Sequence, residues 1–377
     1  MVVTMKKTTI LHVSKYYYPY LGGIETLAKS MAEGLTEYRN VVVCFAIDGK
    51  DSTDNVNGIT VHRVKVNFSM MSQDVAFGYY HTLKRLMKEY QPQFVHVHCP
   101  NPYIYPLVLK VLHPDTKLIL HWHSDILSKG IVYRLVKPFE SAILKRADLI
   151  VTTSPNYIHP SSPIYQYKGK TSVVQSGIVL DNFNLKDGDE RRITEIKSQY
   201  GNKPIVFLFG RHIPYKGIDW LMKIEKQVKS DCQFIIAGSG PLTKELMKKN
   251  TSSRITFTGK LSTDDLRCYT HAADIFSFTS NTKAEALGLA LAEAMYCRCT
   301  PIVFHLEGSG VNWVSIKDQT GLEIPLGDIS GYANAIDNLL NNHSLRERLA
   351  EAAHQRVIDM FTEQKSVSIM KAIYEQL

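Results

Sequence analysis

Between Phe278 and Pro301 the chain reads FTSNTKAEALGLALAEAMYCRCTP, flanked by two β-type runs, DIFSFTS (274–280) and TPIVFH (300–305). Leu289, Ala290, Ala292, Glu293, Ala294 and Met295 are helix formers and almost all apolar, so the sequence predicts a buried helix between two strands. Gly288 marks its N-terminal end, where free backbone N–H groups and the helix dipole favour an anion. Glu293 is then a carboxylate on a helix packed on most sides, and Glu285 lies in the loop just before it. A phosphate at the helix mouth with a carboxylate on either side suits a nucleotide sugar, one glutamate for sugar hydroxyls and one for ribose hydroxyls. A surface Glu285 and a salt-bridged Glu293 in the core fit the same letters, so the window has to be read with its surroundings.

Outward from it, short β-type runs alternate with helical patterns along the whole chain, which predicts parallel sheets covered by helices on both faces. The first half carries TTILHVS (8–14), NVVVCFAI (40–47), TVHRVKV (60–66), FVHVHC (94–99), KLILHWH (117–123), DLIVTTS (148–154) and TSVVQS (171–176). The second starts afresh after a polar stretch with PIVFLFG (204–210), CQFIIAG (232–238) and RITFTG (254–259), then the two strands already quoted. A length of 377 residues exceeds what one core usually supports, so two domains are expected, with the linker near 176–182 and a charged surface segment over 184–200.

Composition, with 44% apolar and 21% charged residues, is that of a globular protein without repeats or disorder. The net charge of +8 weakly favours anionic partners, yet zinc-finger spacing, an RNP-type strand and a long basic helix are all missing, so nucleic acid is not an expected partner. Six cysteines in mostly apolar segments read as free buried thiols of a reducing compartment. No run approaches a membrane span and no signal h-region is present, so a cytoplasmic location is expected.

Several further groupings stand at strand ends. PIVFLFG runs into GRHIPYKG, placing Gly210, Arg211 and Lys216 where open α/β sheets bind ligands; a bidentate fork and a point charge together neutralise a diphosphate. A solvated basic loop is the plainer reading. Gly238 belongs to a Gly-x-Gly-Pro turn that either supports the site or touches ligand, and the third glycine of a dinucleotide fingerprint is replaced by Thr243. Gly22 and Gly23 open the first helix and permit close backbone approach, or simply a flexible turn. His121, His123 and Asp125 alternate along HWHSD, as His96 and His98 do in HVHC; alternation puts each set on one face of an extended chain. Metal ligation, packing and substrate contact all fit these histidines. No metal is expected, since no carboxylate cluster or HExxH joins them. The segment 128–148 combines apolar and basic residues as a membrane-surface helix would, or as a core helix with a solvated face would.

The ordered set GGIE (22–25), HSD (123–125), SGI (176–178), GR…KG (210–217), GSGP (238–241), FTGKLS (257–262), AADIFSF (272–278), EALGLALAEAM (285–295) and TG (320–321) resembles the retaining GT-B glycosyltransferases of family GT4 over nearly the whole chain. The resemblance implies two Rossmann-like domains facing across a cleft, an acceptor-side domain over 1–178, a nucleotide-sugar domain over 179–360, and a C-terminal helix, 361–377, returning to the first domain. It implies that Arg211 and Lys216 bind the diphosphate and Glu293 the ribose. Glu285 would hold the donor sugar, with amides around Leu287, Gly288 and Leu289 on donor oxygens. The Gly22–Gly23 loop would sit near phosphate and acceptor, and His123 near the reacting sugar. The donor implied by the resemblance is a nucleotide-diphosphate sugar, with no cofactor expected. The acceptor it implies is a saccharide or lipid-linked saccharide in surface-polysaccharide synthesis, and peripheral contact with the anionic inner membrane face is the expectation for the segment 128–148. A nucleotide-sugar 2-epimerase and a non-catalytic sugar-nucleotide-binding protein are the rival readings. The family has Asn where this chain has Ser176, and a single Gly where Arg298 and Cys299 stand.

Overall fold

In the computed structural model, which describes residues 7–20, 22–70, 73–126 and 131–377, the chain divides into two compact units. One comprises residues 1–175 and 364–377, the other 176–363. The first unit's strands are β1 (Thr9–Val13), β2 (Arg39–Ala46), β3 (Ser52–Val56), β4 (Ile59–Lys65), β5 (Phe68–Met70), β6 (Gln73–Val75), β7 (Phe94–Cys99), β8 (Lys117–Trp122), β9 (Leu149–Thr152) and β10 (Thr171–Val173). Eight of them form one sheet in the order β10-β9-β8-β7-β1-β2-β4-β3, parallel except for β3 against β4, while β5 and β6 make a separate hairpin. The central strands β1, β2, β7, β8 and β9 are mostly apolar and buried on both faces, as parallel strands under helices must be, whereas β3 is polar and β5 exposed.

The second unit holds β11 (Ile205–Phe209), β12 (Gln233–Ala237), β13 (Ile255–Gly259), β14 (Ile275–Phe278), β15 (Thr300–Phe304) and β16 (Leu322–Ile324). Their order, β13-β12-β11-β14-β15-β16, is parallel throughout. In each sheet the strand order reverses once, between β1 and β7 in the first and between β11 and β14 in the second. Such a reversal, at the C-terminal ends of the strands, is the place where doubly wound sheets bind ligands.

The charged stretch expected as surface is a helix, Asp189–Gln199. It is held by a buried pair: Arg267 Nε donates to Asp189 Oδ2 at 2.6 Å, and the guanidinium keeps that carboxyl well below the usual range. The last helix, Glu363–Gln376, packs in the first unit through Met370 and Tyr374 against Ile10, Phe94 and Ile119. All six cysteines are free and buried.

Two departures from the sequence reading have local causes. The sequence pattern does not predict strands β3, β5, β6 and β16, which are short or polar. Asp125 does not share a face with His121 and His123, because β8 ends at Trp122 and alternation ends with it; Asp125 instead accepts from Trp122 Nε1 at 2.9 Å and Ser162 Oγ at 2.8 Å.

Candidate active site

At the reversal between β11 and β14, the chain leaves β11 through Gly210, whose φ of 151° suits glycine alone. Gly238 supports that turn: a Cβ there would lie 1.9 Å from Gly210 O, so its lack of a side chain lets the two loops pack backbone to backbone. Arg211 emerges exposed, and among the described residues it makes no ion pair. Lys216 ends a short turn (Pro214–Lys216) closed by Gly217, where a Cβ would meet Thr279 O at 2.1 Å. Thr279 Oγ1 donates back to Lys216 O at 2.9 Å, locking the loops after β11 and β14 together. Arg211 and Lys216 thus line one depression with Phe278, Thr279 and Ser280.

Glu285, only 8% exposed, is tied to two residues of that lining. Its Oε2 accepts from Lys216 Nζ and, at 2.8 Å, from Ser280 Oγ; Ser309 Oγ donates to its backbone oxygen. Lys216 and Glu285, given separate roles by the sequence reading, therefore form one ion pair. Ser280, Thr279 and Ser309 fix its geometry, and no spacing motif in the sequence pointed to them.

The helix expected after Gly288 is Leu289–Tyr296, with Gly288 as its N-cap in the left-handed region, φ 90°. The N–H groups of Leu287, Gly288, Leu289 and Ala290 find no acceptor among the described residues, so the helix mouth presents unspent donors. Glu293 stands one turn in. No hydrogen bond to its carboxylate is present among the described residues, and loss of hydration pushes its pKa up to about 7, with Lys216 pulling the other way. The side chain keeps some solvent contact, so this carboxyl is desolvated by its surroundings rather than sealed in the core.

The same helix explains the Arg298 departure. Cys299 N donates to Ala294 O at 3.0 Å and Arg298 N to Met295 O at 3.1 Å, the paired bonds of a Schellman end, which places Arg298 at the left-handed position (φ 63°). Glycine is favoured there; arginine is held by its pair with Glu351 at 2.8 Å.

The remaining site candidates lie in the first unit. Gly22 precedes the helix Gly23–Gly34 in extended backbone, and a Cβ there would sit 2.3 Å from Glu25 Oε2, so a carboxylate occupies the space its small size leaves. His123 follows β8 and is 6% exposed; burial pushes its pKa down to about 3. It belongs to a file of buried imidazoles on one face of β1, β7 and β8: His12, His96, His98, His121 and His123. His98 Nδ1 and His123 Nε2 are 3.1 Å apart, and His96 Nε2 and His121 Nδ1 3.2 Å, while His96 Nδ1 meets Tyr374 Oη at 2.6 Å. Two sets, His12-His96-His98 and His98-His121-His123, bring donor atoms within 4.8 Å of one another. Four of those nitrogens pair with one another, while His12 Nδ1, His98 Nε2 and His121 Nε2 are buried without a partner among the described residues.

A family model described as "Glycosyltransferase Family 4" matches residues 21–182, and one described as "Glycosyl transferases group 1" matches 189–356. The chain belongs to the GT4, group 1 glycosyltransferases and is a nucleotide-sugar-dependent transferase with the GT-B fold. It is 27% identical over 376 residues to the O-antigen chain mannosyltransferase C of Escherichia coli, covering 98% of each chain. It is 28% identical over 363 residues to the D-rhamnosyltransferase WbpZ of Pseudomonas aeruginosa, covering 94% of this chain and 92% of that one. Among solved structures, Anabaena Alr3699/HepE in complex with UDP has the same fold at a TM-score of 0.78 and 18% identity, covering 98% of this chain and 100% of that one.

Proposed function

We propose that this enzyme moves a hexosyl group, with retention of configuration and without a metal ion, from a nucleoside diphosphate sugar to a hydroxyl of a saccharide or lipid-linked saccharide in surface-polysaccharide assembly. The observation that carries the reading is the cluster at the β11/β14 reversal, where Arg211, Lys216 and the open helix mouth after Gly288 present positive charge beside two carboxylates. A departing nucleoside diphosphate gathers negative charge as the glycosidic bond breaks, and fixed cations and N–H dipoles in a dry site stabilise it there. Lys216 turns from Glu285 toward that phosphate, freeing the carboxylate for donor-sugar hydroxyls. Glu293, poised near neutrality, accepts from the ribose. His123 and the Gly22–Gly23 loop belong to the acceptor-side unit in this reading, and residues 176–363 to the donor side.

The mannosyl- and rhamnosyltransferase relatives support a mannose-type donor sugar and a polysaccharide product. No described helix is long and apolar enough to cross a membrane. Peripheral attachment to an anionic inner-membrane face draws support from the helix Ile131–Arg146, where Leu135 (69%) and Phe139 (46%) are exposed beside exposed Arg134 and Lys137. Residues 128–130 of that segment lie outside the described residues.

The test is a thermal-shift panel of UDP-, GDP- and ADP-sugars, since a ligand bound only by the folded state raises its melting temperature. Product analysis with donor alone and with mannose-containing lipid-linked acceptors follows. Transfer to the acceptor in the presence of EDTA is the expected result. Epimerised sugar from donor alone identifies an epimerase, and no melting shift with any nucleotide sugar overturns the assignment.

A further inference from the structure

The reversal between β1 and β7 carries a second constructed surface, a row of tyrosines in the loop that leaves β1. Tyr17 is buried, whereas Tyr18 (43%) and Tyr20 (42%) are exposed and Tyr16 is half-buried beneath Tyr20, with ring centroids 4.5 Å apart. Exposed aromatics on a loose loop would mean little, but this loop is braced from several sides. Tyr16 Oη donates to Asp74, a carboxylate only 4% exposed, which also accepts from Ser69 Oγ at 2.5 Å and faces Lys15 Nζ at 3.9 Å. The backbone oxygen of Tyr18 accepts from Arg63 Nη2 at 2.5 Å, and Arg63 is itself buried and held by Asp54 at 2.6 Å. Phe45 N donates to Lys15 O at 2.9 Å, pinning the start of the loop to β2. Two buried charged groups are therefore committed to fixing the position of rings that stay open to solvent.

We propose that Tyr18 and Tyr20 form a stacking platform for one pyranose ring of the acceptor, an inference that rests on the glycosyl-transfer reading above. The face of a tyrosine ring is electron-rich, and the polarised C–H edges of a pyranose are its natural counterpart; the ring's fixed orientation keeps the entropic cost of binding low. Hydroxyls around the sugar require polar neighbours: besides the phenol groups, Lys15 Nζ lies over the Tyr16 ring at 5.4 Å from its centre and Lys29 Nζ over that of Tyr18 at 5.8 Å, which leaves the Tyr20 ring as the more open face. A lipid chain would find aliphatic side chains more suitable. The same loop runs on toward Gly22, at the mouth of the first helix, so a sugar stacked on it lies beside that helix start.

The experiment is saturation-transfer NMR on the full chain without donor, using methyl pyranosides of mannose, rhamnose, glucose, galactose and N-acetylglucosamine, with octyl mannoside alongside. At least one methyl pyranoside is expected to bind through its ring protons. Tyr20→Ala should weaken it roughly five- to tenfold, Tyr18→Ala less, and Tyr20→Phe, which keeps the ring, by about twofold or less. Equal binding by wild type and Tyr20→Ala overturns the platform, as does binding of none of the methyl pyranosides. Binding of octyl but not methyl mannoside, lost in Tyr20→Ala, assigns the surface to an alkyl chain and overturns it too. Nucleotide-sugar melting shifts are measured separately: if they fail while pyranoside binding through Tyr20 persists, the transfer reading falls and the platform stands.

Discussion

The two strand-order reversals handle polar side chains in opposite ways. Behind the β1/β7 reversal the first sheet buries a file of imidazoles, partly paired with one another, whose burial disfavours protonation; at the β11/β14 reversal the second sheet holds ions and an open helix mouth. Both patterns read alike in the sequence, as polar residues at the ends of apolar strands. Geometry separates them. Six imidazole nitrogens have partners, and His12 Nδ1, His98 Nε2 and His121 Nε2 have none among the described residues, yet all lie sealed from solvent. Arg211, Glu293 and the first N–H groups of the helix Leu289–Tyr296 also have capacity left over, but there Arg211 is exposed and Glu293 partly so. Unspent valence within reach of solvent, rather than the presence of polar groups, marks where chemistry is done.

The largest expected effect tests the ionic side of this contrast. Lys216→Ala and Arg211→Ala should each lower kcat by about 10²-fold or more with circular dichroism unchanged, because both act on leaving-group charge. Melting should stay close to wild type in Arg211→Ala and fall in Lys216→Ala, which leaves the buried Glu285 without its cation. Wild-type rates in either variant would erase the distinction between the two reversals.

The neutral side is tested by acid. Burial lowers the pKa of all five histidines, to about 4 for His12 and about 3 for His123. The unfolded chain takes up these protons near pH 6.5 while the folded chain does not. Stability is thus fully present above about 6.5 and falls as pH drops, by about 1.4 kcal/mol per pH unit for each histidine involved. Urea unfolding followed from pH 7 to 5 should show a loss of several kcal/mol, and a flat profile would mean that the file is hydrated or already charged.

Glu293 should move the other way. Its folded pKa, about 7, is above the unfolded value, so its contribution is complete at acid pH and disappears as pH rises through about 7. Glu293→Gln is expected to be about 1–3 kcal/mol more stable than wild type above neutrality and no more stable in acid, a range that allows for its partial exposure. Nucleotide affinity in the wild type should rise through the same interval, because the ionised form is the better acceptor; calorimetry on both proteins would show whether the slope belongs to this residue.

The smallest effect concerns the helix end. Arg298→Gly should raise stability by about 0.5–1 kcal/mol, relieving the left-handed backbone at the loss of an exposed ion pair. A decrease would show that the Glu351 pair outweighs the backbone term.

Much of this was legible in the letters because parallel strands are continuous apolar runs and because glycine is demanded by backbone geometry at Gly210 and Gly288. The helix after Gly288 and the loop carrying Arg211 and Lys216 follow from such local rules. What the sequence could not convey was pairing across distance: that Lys216 meets Glu285, that Asp189 meets Arg267, that Tyr374 meets His96. Asp125 shows the limit from the other side, since a period-2 argument holds only while the strand lasts, and β8 stops at Trp122.

The free cysteines give each unit its own clock. Cys44 and Cys99 lie in the first unit, and Cys232, Cys268, Cys297 and Cys299 in the second; burial pushes Cys44, Cys99 and Cys232 up to about 12. A thiol at that value carries almost no thiolate and, shielded from solvent, reacts with an alkylating reagent only when the backbone around it opens. Alkylation read cysteine by cysteine in a mass spectrometer therefore times the breathing of each sheet separately in the unmodified sequence, and a nucleotide sugar that tightens the second unit would slow four of those clocks directly.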